Sequence, residues 1–471
     1  MLFLFAAALL NFSLASCTPT TSITPVCTKY KAQIQQQLSS GSTVQCSGNN
    51  TRWSEYAAPE PGAIVTVASE DDVAKSVAFA SQQNIPFLIQ SGANGWADTF
   101  TLSGNGFIID ISQLKQITFN ADNTQVSFQA GVTNADMVEA AWNNNARAWV
   151  ATCNCVSVLG ATLGGGLGRL QGLYGLGLDQ LLSVNYVDGD GNKKTVTKDS
   201  DADLWWALKG AGPNFGIVTS VVANAWPIPQ ADNTAWTGSL IFDESQIEDL
   251  ISAVNDITLE PEMQMDIYFT GLMVIALPFY LGSEEEGREK FASILAVGPT
   301  VDATQVTPYN TWNAAGDAFC LDGGRKPSYT TGLKTMDPTA WRKVWNDYSA
   351  FVTDHPEAGN TTVLSECYST MKVEAIGSFQ SSYPFRDVKC YSIAIPWYPD
   401  SSLDAEGIAF GQNVRSYWAA SAGTDSPANY INFAHGDEPL SNIYGSSLSK
   451  LQQLKQKYDP KKRFNQWFPL S

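Results

Sequence analysis

Three stretches of small residues in this sequence have the types and spacing that let a polar ligand approach the backbone. Ser91-Gly92-Ala93-Asn94-Gly95 follows an apolar run from Pro86 to Gln90. Successive small side chains there let backbone N–H groups turn inward as an anion-binding nest, which suits a pyrophosphate, although an ordinary tight turn has the same spelling. The second stretch, Gly160-Ala161-Thr162-Leu163-Gly164-Gly165-Gly166-Leu167-Gly168, admits a flat or charged ligand or serves close packing of elements. The third, from Trp205 to Val218, sets a helix, a glycine turn and a strand in quick succession.

Other chemistries are excluded by what the sequence lacks. It has 2 histidines, His355 and His435, so a histidine-rich metal centre is out and no metal is expected. His435 stands in a loop before Gly436-Asp437, where a lone histidine is expected to be solvated. Neither Gly-x-Gly-x-x-Gly nor a Walker-type Gly-Lys-Ser/Thr occurs, which removes support for Rossmann and P-loop nucleotide sites. With 28 basic against 46 acidic residues the net charge is −18, which repels nucleic acid and anionic membranes. Of 8 cysteines, Cys27 and Cys46 flank a short helix-like segment and are expected to pair. Cys153 and Cys155 are too close for an easy mutual bridge.

The elements around these residues follow from periodicity. Short apolar runs alternate with amphipathic stretches: strands from Ile64 to Val67, Pro86 to Gln90, Gly106 to Ile111 and Val126 to Ala130, helices from Glu70 to Gln82 and near Ala135 to Asn144. Asp188-Gly189-Asp190-Gly191-Asn192 reads as a hairpin turn, Ala202 to Ala211 as a helix and Phe215 to Ala223 as a strand. The punctuation changes at Pro227-Ile228-Pro229. From Asp232 to about Ala420, strands (Trp236 to Phe242, Met265 to Phe269, Tyr391 to Trp397) mix with helices (Glu284 to Leu295, Thr339 to Thr353), which predicts an antiparallel sheet backed by helices. The aromatic tail after the helix from Ser446 to Tyr458 is expected to dock. The apolar run Met1 to Leu10 and the small residues Ser13 to Ser16 read as a signal peptide over 1–16, too short for a span of about 20 residues. Sequons at Asn49 and Asn360 fit a secreted glycoprotein.

In this order and spacing the motifs resemble the vanillyl-alcohol-oxidase superfamily, with its PCMH-type FAD-binding domain, and within it the berberine-bridge-like FAD-linked oxidoreductases. Gln90 to Asn94 stands where the family carries Arg-Ser-Gly-Gly-His. Further matches are Ile109-Asp110, Gln129-Ala130-Gly131, Cys153 eleven positions before Gly164-Gly165-Gly166, and Trp206 to Thr219 with Gly216-Ile217-Val218. Tyr430-Ile431-Asn432-Phe433 and the ending from Tyr458 to Phe464 resemble the tail that returns to the flavin. The resemblance implies an α+β fold: a two-subdomain FAD-binding domain over 17–229 (core 59–229), an antiparallel-sheet substrate domain over 230–420 and a tail over 421–471.

It also implies FAD as cofactor, held by Ser91, Gly92, Ala93, Asn94, Gly95, Gly131, Cys153, Ser157, Gly160, Gly164, Gly216, Ile217, Val218 and Asn432. Tyr430 is the implied catalytic base, and its phenol pKa near 10 needs lowering for that role. The family's flavin-linking histidine is Asn94 here, so a histidyl flavin is impossible. Non-covalent FAD is expected, with a single cysteinyl link through Cys153 as the alternative and Cys155 as the competing thiol. The implied reaction is hydride transfer from a small organic molecule to flavin N5 with O2 as acceptor, in fungal secondary metabolism. Carbohydrate oxidation, redox-neutral cyclisation and flavin binding without catalysis are the rivals. A monomer is expected.

Overall fold

The computed structural model describes residues 25–46, 50–424 and 426–470. The signal-peptide reading, Cys17 and Asn49 lie outside them.

Serine and acidic residues begin the first long helix, Glu70–Gln82. Ser69 accepts from Asp72 N at 3.2 Å, and three acidic side chains occupy the first turn, where the helix dipole favours negative charge. Its apolar face, with Val73, Val77, Phe79 and Ala80, packs into the first core. The strands Ala63–Thr66, Phe107–Asp110 and Phe87–Gln90 are parallel neighbours, and Thr43–Cys46 adds an antiparallel edge. A disulfide joins Cys27, in the helix Pro25–Gln35, to Cys46, as the spacing suggests.

The second sheet is antiparallel, in the order Ile117–Phe119, Gln125–Gln129, Ile217–Pro227, Leu181–Val187, Lys193–Val196, with Ala146–Ala148 on the far end of the long central strand. Every strand from Thr234 onward joins a nine-stranded antiparallel sheet whose middle is Met273–Tyr280, Met263–Thr270, Thr362–Tyr368 and Cys390–Ile395. Alternation gives that sheet two faces. Met265, Ile267, Phe269, Val363, Cys367 and Cys390 pack on the helices Ile247–Asp256, Pro338–Asp354 and Asp404–Ala419. The opposite face presents Gln264, Asp266, Tyr268, Leu364, Glu366 and Tyr391 to the loops and tail of the other sheets.

Two elements differ from the sequence expectation. The strand expected over Trp236 to Phe242 is two strands, Thr234–Thr237 and Leu240–Phe242, broken at Gly238. There φ is +143° and a Cβ would meet Ala303 O at 2.4 Å. The helix expected over Glu284 to Leu295 divides at Phe291 into Glu284–Lys290 and Ala292–Ala296.

The tail docks as expected. Its helix Leu448–Tyr458 packs beside Ala202–Ala211, and Lys455 Nζ donates to Asn214 O at 2.7 Å. Asn214 Nδ2 in turn donates to Trp467 O at 3.0 Å, fixing the chain end on the glycine turn. Among the described residues no helix is long and apolar enough to cross a membrane.

Candidate functional site

The parallel strand Phe87–Gln90 ends at the loop Ser91–Trp96, which the second sheet helps to hold. Ser91 Oγ and Ser157 Oγ both donate to Ala130 O, at 2.7 and 3.0 Å, and Ser157 Oγ accepts from Gly160 N at 3.2 Å. This brings together four of the expected cofactor positions, since a Cβ on Gly92 would lie 3.1 Å from Ser157 N. Ala93 has φ +56°, a left-handed conformation costing about 1–2 kcal/mol for a residue with a Cβ. The N–H groups of Gly92, Ala93, Asn94, Gly95 and Trp96 meet no acceptor among the described residues. Asn94 Oδ1 is buried and equally unpartnered. Buried polar groups are normally satisfied, so a row of open donors beside an orphaned amide oxygen fits an anionic, hydrogen-bonding ligand.

A charge missing from the loop is supplied from elsewhere. The guanidinium of Arg52 donates to Gln90 Oε1 and to Gly95 O, both at 2.7 Å. Burial lowers its pKa to about 10, so it stays cationic at neutral pH. Sequence reasoning missed Arg52 because it precedes its partner Gln90 by 38 residues and belongs to no motif.

The second glycine stretch meets the tail. Tyr430 Oη accepts from Gly166 N at 3.1 Å and from Asn432 Nδ2 at 2.7 Å, and Asn432 Nδ2 also donates to Ala161 O at 2.8 Å. A Cβ on Gly164 would stand 2.3 Å from Asn432 Oδ1, so only glycine fits this approach. The phenol pKa is not lowered, contrary to the requirement stated above. Burial pushes it up to about 12, against the N–H groups of Gly166, Asn432 and Leu167, which favour the phenolate.

The remaining expected positions lie in packed surroundings. Gly131 N donates to Leu114 O at 2.8 Å, and a Cβ there would press on three carbonyl oxygens. A Cβ on Gly216 would meet Tyr186 Cε2 at 1.9 Å, and Ile217 and Val218 are buried at the start of their strand. His435 is not solvated: it stacks on Tyr329 at 4.1 Å, its Nδ1 is 3.2 Å from Ser328 O, and burial lowers its pKa.

The cysteines require a correction as well. Cys155 is not a competing thiol, because it forms a disulfide with Cys320. Cys153 is the free cysteine among the described residues, and burial pushes its thiol up to about 11, far from the thiolate that nucleophilic chemistry needs.

Facing this seam, the nine-stranded sheet carries two carboxyls that sequence reading did not single out. Asp266 and Glu366 are directly opposed on neighbouring strands. Arg169 Nη1 is 3.7 Å from Asp266 and donates to Gln264 Oε1 at 2.5 Å. Glu366 accepts from Tyr368 Oη and from Thr152 Oγ1, both at 2.9 Å. Burial holds both carboxyls above the ordinary range, with Arg169 opposing. Farther along the same face Leu364, Ile393 and Ile395 pack with Trp53, Trp96, Tyr268 and Phe433 as an apolar wall.

Comparison with known proteins accords with this geometry. Residues 61–197 match the model of an FAD binding domain, and residues 429–467 match the berberine and berberine-like model. The FAD-linked oxidoreductase OXR1 of Pyricularia oryzae is 33% identical over 426 residues, covering 87% of this chain and 84% of that protein. The FAD-linked oxidoreductase hasG of Aspergillus fumigatus is 32% identical, covering 89% and 95%. Among solved structures, the BBE-like 1 protein of Physcomitrella patens aligns with TM-score 0.81 at 18% identity, covering 93% of this chain and 99% of that one. A chitooligosaccharide oxidase aligns with TM-score 0.79 at 16% identity, covering 93% and 98%.

Proposed function

The chain belongs to the FAD-linked oxidoreductases that join an FAD binding domain to a berberine-like tail, and from this premise we propose that it is a secreted oxidase of small organic molecules. The observation that carries the reading is the loop Gly92–Trp96, with its open N–H groups and the Arg52 cation, set against the Tyr430–Asn432 tail and one face of the nine-stranded sheet. Bound FAD supplies a two-electron hydride acceptor that O2 reoxidises, releasing hydrogen peroxide. The loop N–H groups and Arg52 would hold the pyrophosphate, with Ser157 and Gly160 beside them. Neither Asn94 nor the protonated Cys153 thiol supports a covalent link, so the cofactor is held non-covalently.

Tyr430 Oη, in the phenolate form that the N–H groups of Gly166, Asn432 and Leu167 favour, would take the proton that the substrate gives up and become the neutral phenol. Asn432 orients that phenol while Trp53, Trp96 and Phe433 exclude water. The units are 17–229 and 421–471 around the cofactor and 230–420 around the substrate.

We extend the proposal to a role in fungal secondary metabolism; the relatives are FAD-linked oxidoreductases of fungi. Carbohydrate oxidation is less well supported by the apolar wall, because a sugar needs hydrogen-bonding groups along its length. An assay of peroxide release against a panel of aromatic alcohols, amines and oligosaccharides tests the reading. Peroxide with an apolar alcohol or amine is expected. Peroxide with oligosaccharides alone favours the carbohydrate reading, and turnover without peroxide favours the redox-neutral cyclase.

A further inference from the structure

Between the strands Gln305–Pro308 and Tyr329–Leu333 the chain runs as a strap with two 3-10 turns, Tyr309–Thr311 and Ala314–Phe319. It crosses from the nine-stranded sheet to the cofactor side and has no strand pairing of its own over 309–324. Side chains and single backbone bonds hold it instead. Asn313 Nδ2 donates to Ala151 O at 2.9 Å, Asn154 Nδ2 to Asp317 Oδ1 at 2.7 Å and Trp53 Nε1 to Phe319 O at 2.6 Å. Gly323 N donates to Arg52 O at 2.9 Å. Arg52 is also the residue whose guanidinium grips Gln90 and Gly95, so the strap and the cofactor loop share an anchor.

The covalent tie is Cys155–Cys320, and a third sulfur sits against both of its ends. Cys153 Sγ is 3.5 Å from Cys155 Sγ and 3.6 Å from Cys320 Sγ, under the strap and 4.0 Å from Gly316 O. All three sulfurs lie within 4.8 Å of one another. Resting on the FAD reading above, we propose that Cys320 is a shared partner for Cys155 and Cys153, so that the three sulfurs form a redox-operated clasp holding the strap, and through Arg52 the cofactor loop, in place.

The internal step is thiol–disulfide exchange. Protonated and idle at neutral pH, the Cys153 thiol ionises in the alkaline range, and its thiolate then attacks Cys320 Sγ, the Cys155–Cys320 bond breaks and its electron pair leaves on Cys155, which takes up the proton that Cys153 released. No electron enters or leaves the protein. Opening the clasp completely consumes two electrons and two protons from a small dithiol, which closes to its own cyclic disulfide. Burial of the Cys153 thiol makes the internal exchange slow at neutral pH and faster as pH rises.

Two measurements on the holoprotein test this. In the first, disulfides are mapped in wild type and in Cys155→Ser produced with oxidised glutathione. A Cys153–Cys320 bond is expected in the variant, and finding both thiols free to alkylate would overturn the shared-partner assignment. In the second, hydrogen exchange over 309–326 and retention of FAD are followed with and without dithiothreitol, and in Cys320→Ser. Dithiothreitol and Cys320→Ser should each speed strap exchange about tenfold, a local stability loss of about 1.4 kcal/mol, and hasten FAD release. Unchanged strap exchange and FAD release in both would overturn the clasp. A strap that loosens as expected in a protein that never held FAD would defeat the cofactor reading alone.

Discussion

Asn94 shows how a single position sets the mode of cofactor attachment. Its Oδ1 is buried without a partner, in a loop whose N–H groups from Gly92 to Trp96 meet no acceptor among the described residues, and an amide cannot form the link that an imidazole forms. Asn94→His is therefore expected to keep the fold and to leave part of the flavin on the precipitated polypeptide after acid treatment, read as retained flavin absorbance against wild type. A variant that binds no flavin would show that the loop has another register. Tyr430 was legible as a tail tyrosine, but its surroundings were not, because two of its three N–H donors, Gly166 and Leu167, come from far back along the chain. Tyr430→Phe should lower kcat/KM by about 10²–10⁴-fold with FAD content unchanged. A base must be deprotonated, and with the phenol raised to about 12 its phenolate fraction grows about tenfold per pH unit below that value. The wild-type kcat/KM for a substrate found by the peroxide assay should thus climb with pH without a plateau through the alkaline range. A flat profile would assign the proton to another group.

At the scale of elements, periodicity predicted most strands and helices of the first two sheets, since a helix capped by Ser69 or a strand of alternating apolar residues is a local matter. The partners of those strands were not legible. Asp266 and Glu366 stand on strands whose alternation is readable, yet only pairing puts them opposite one another, and Arg52 reaches the cofactor loop only through tertiary packing. The acid pair gives a stability prediction. Burial and the facing Glu366 hold the folded Asp266 carboxyl protonated well above the ordinary carboxylate range, whereas exposed it loses its proton near 3.8, so from there up to its raised titration the unfolded chain binds fewer protons. Stability accordingly falls as pH rises through that window. Asp266→Asn removes one of the two raised carboxyls, and its melting temperature should change less than that of wild type between about pH 5 and pH 8. An equal or steeper slope in the variant would contradict the raised carboxyl.

For the molecule as a whole, one sheet face closing on cofactor loops and a returning tail makes a site assembled from regions that are remote in sequence. The tail was expected to dock from its aromatic content alone, and Lys455 and Asn214 show how it does. The strap and its disulfide to Cys155 were beyond sequence reading, because 165 residues separate the two cysteines and nothing in their spacing pairs them. The central claim is that this assembly binds FAD without a covalent bond. An absorption spectrum of the purified protein before and after acid precipitation, with the released cofactor weighed by mass spectrometry, tests it most directly. Flavin bands that move entirely into the supernatant as FAD are predicted. A folded, colourless protein that cannot be reconstituted with FAD would contradict the account, and flavin that stays with the polypeptide would contradict the non-covalent attachment.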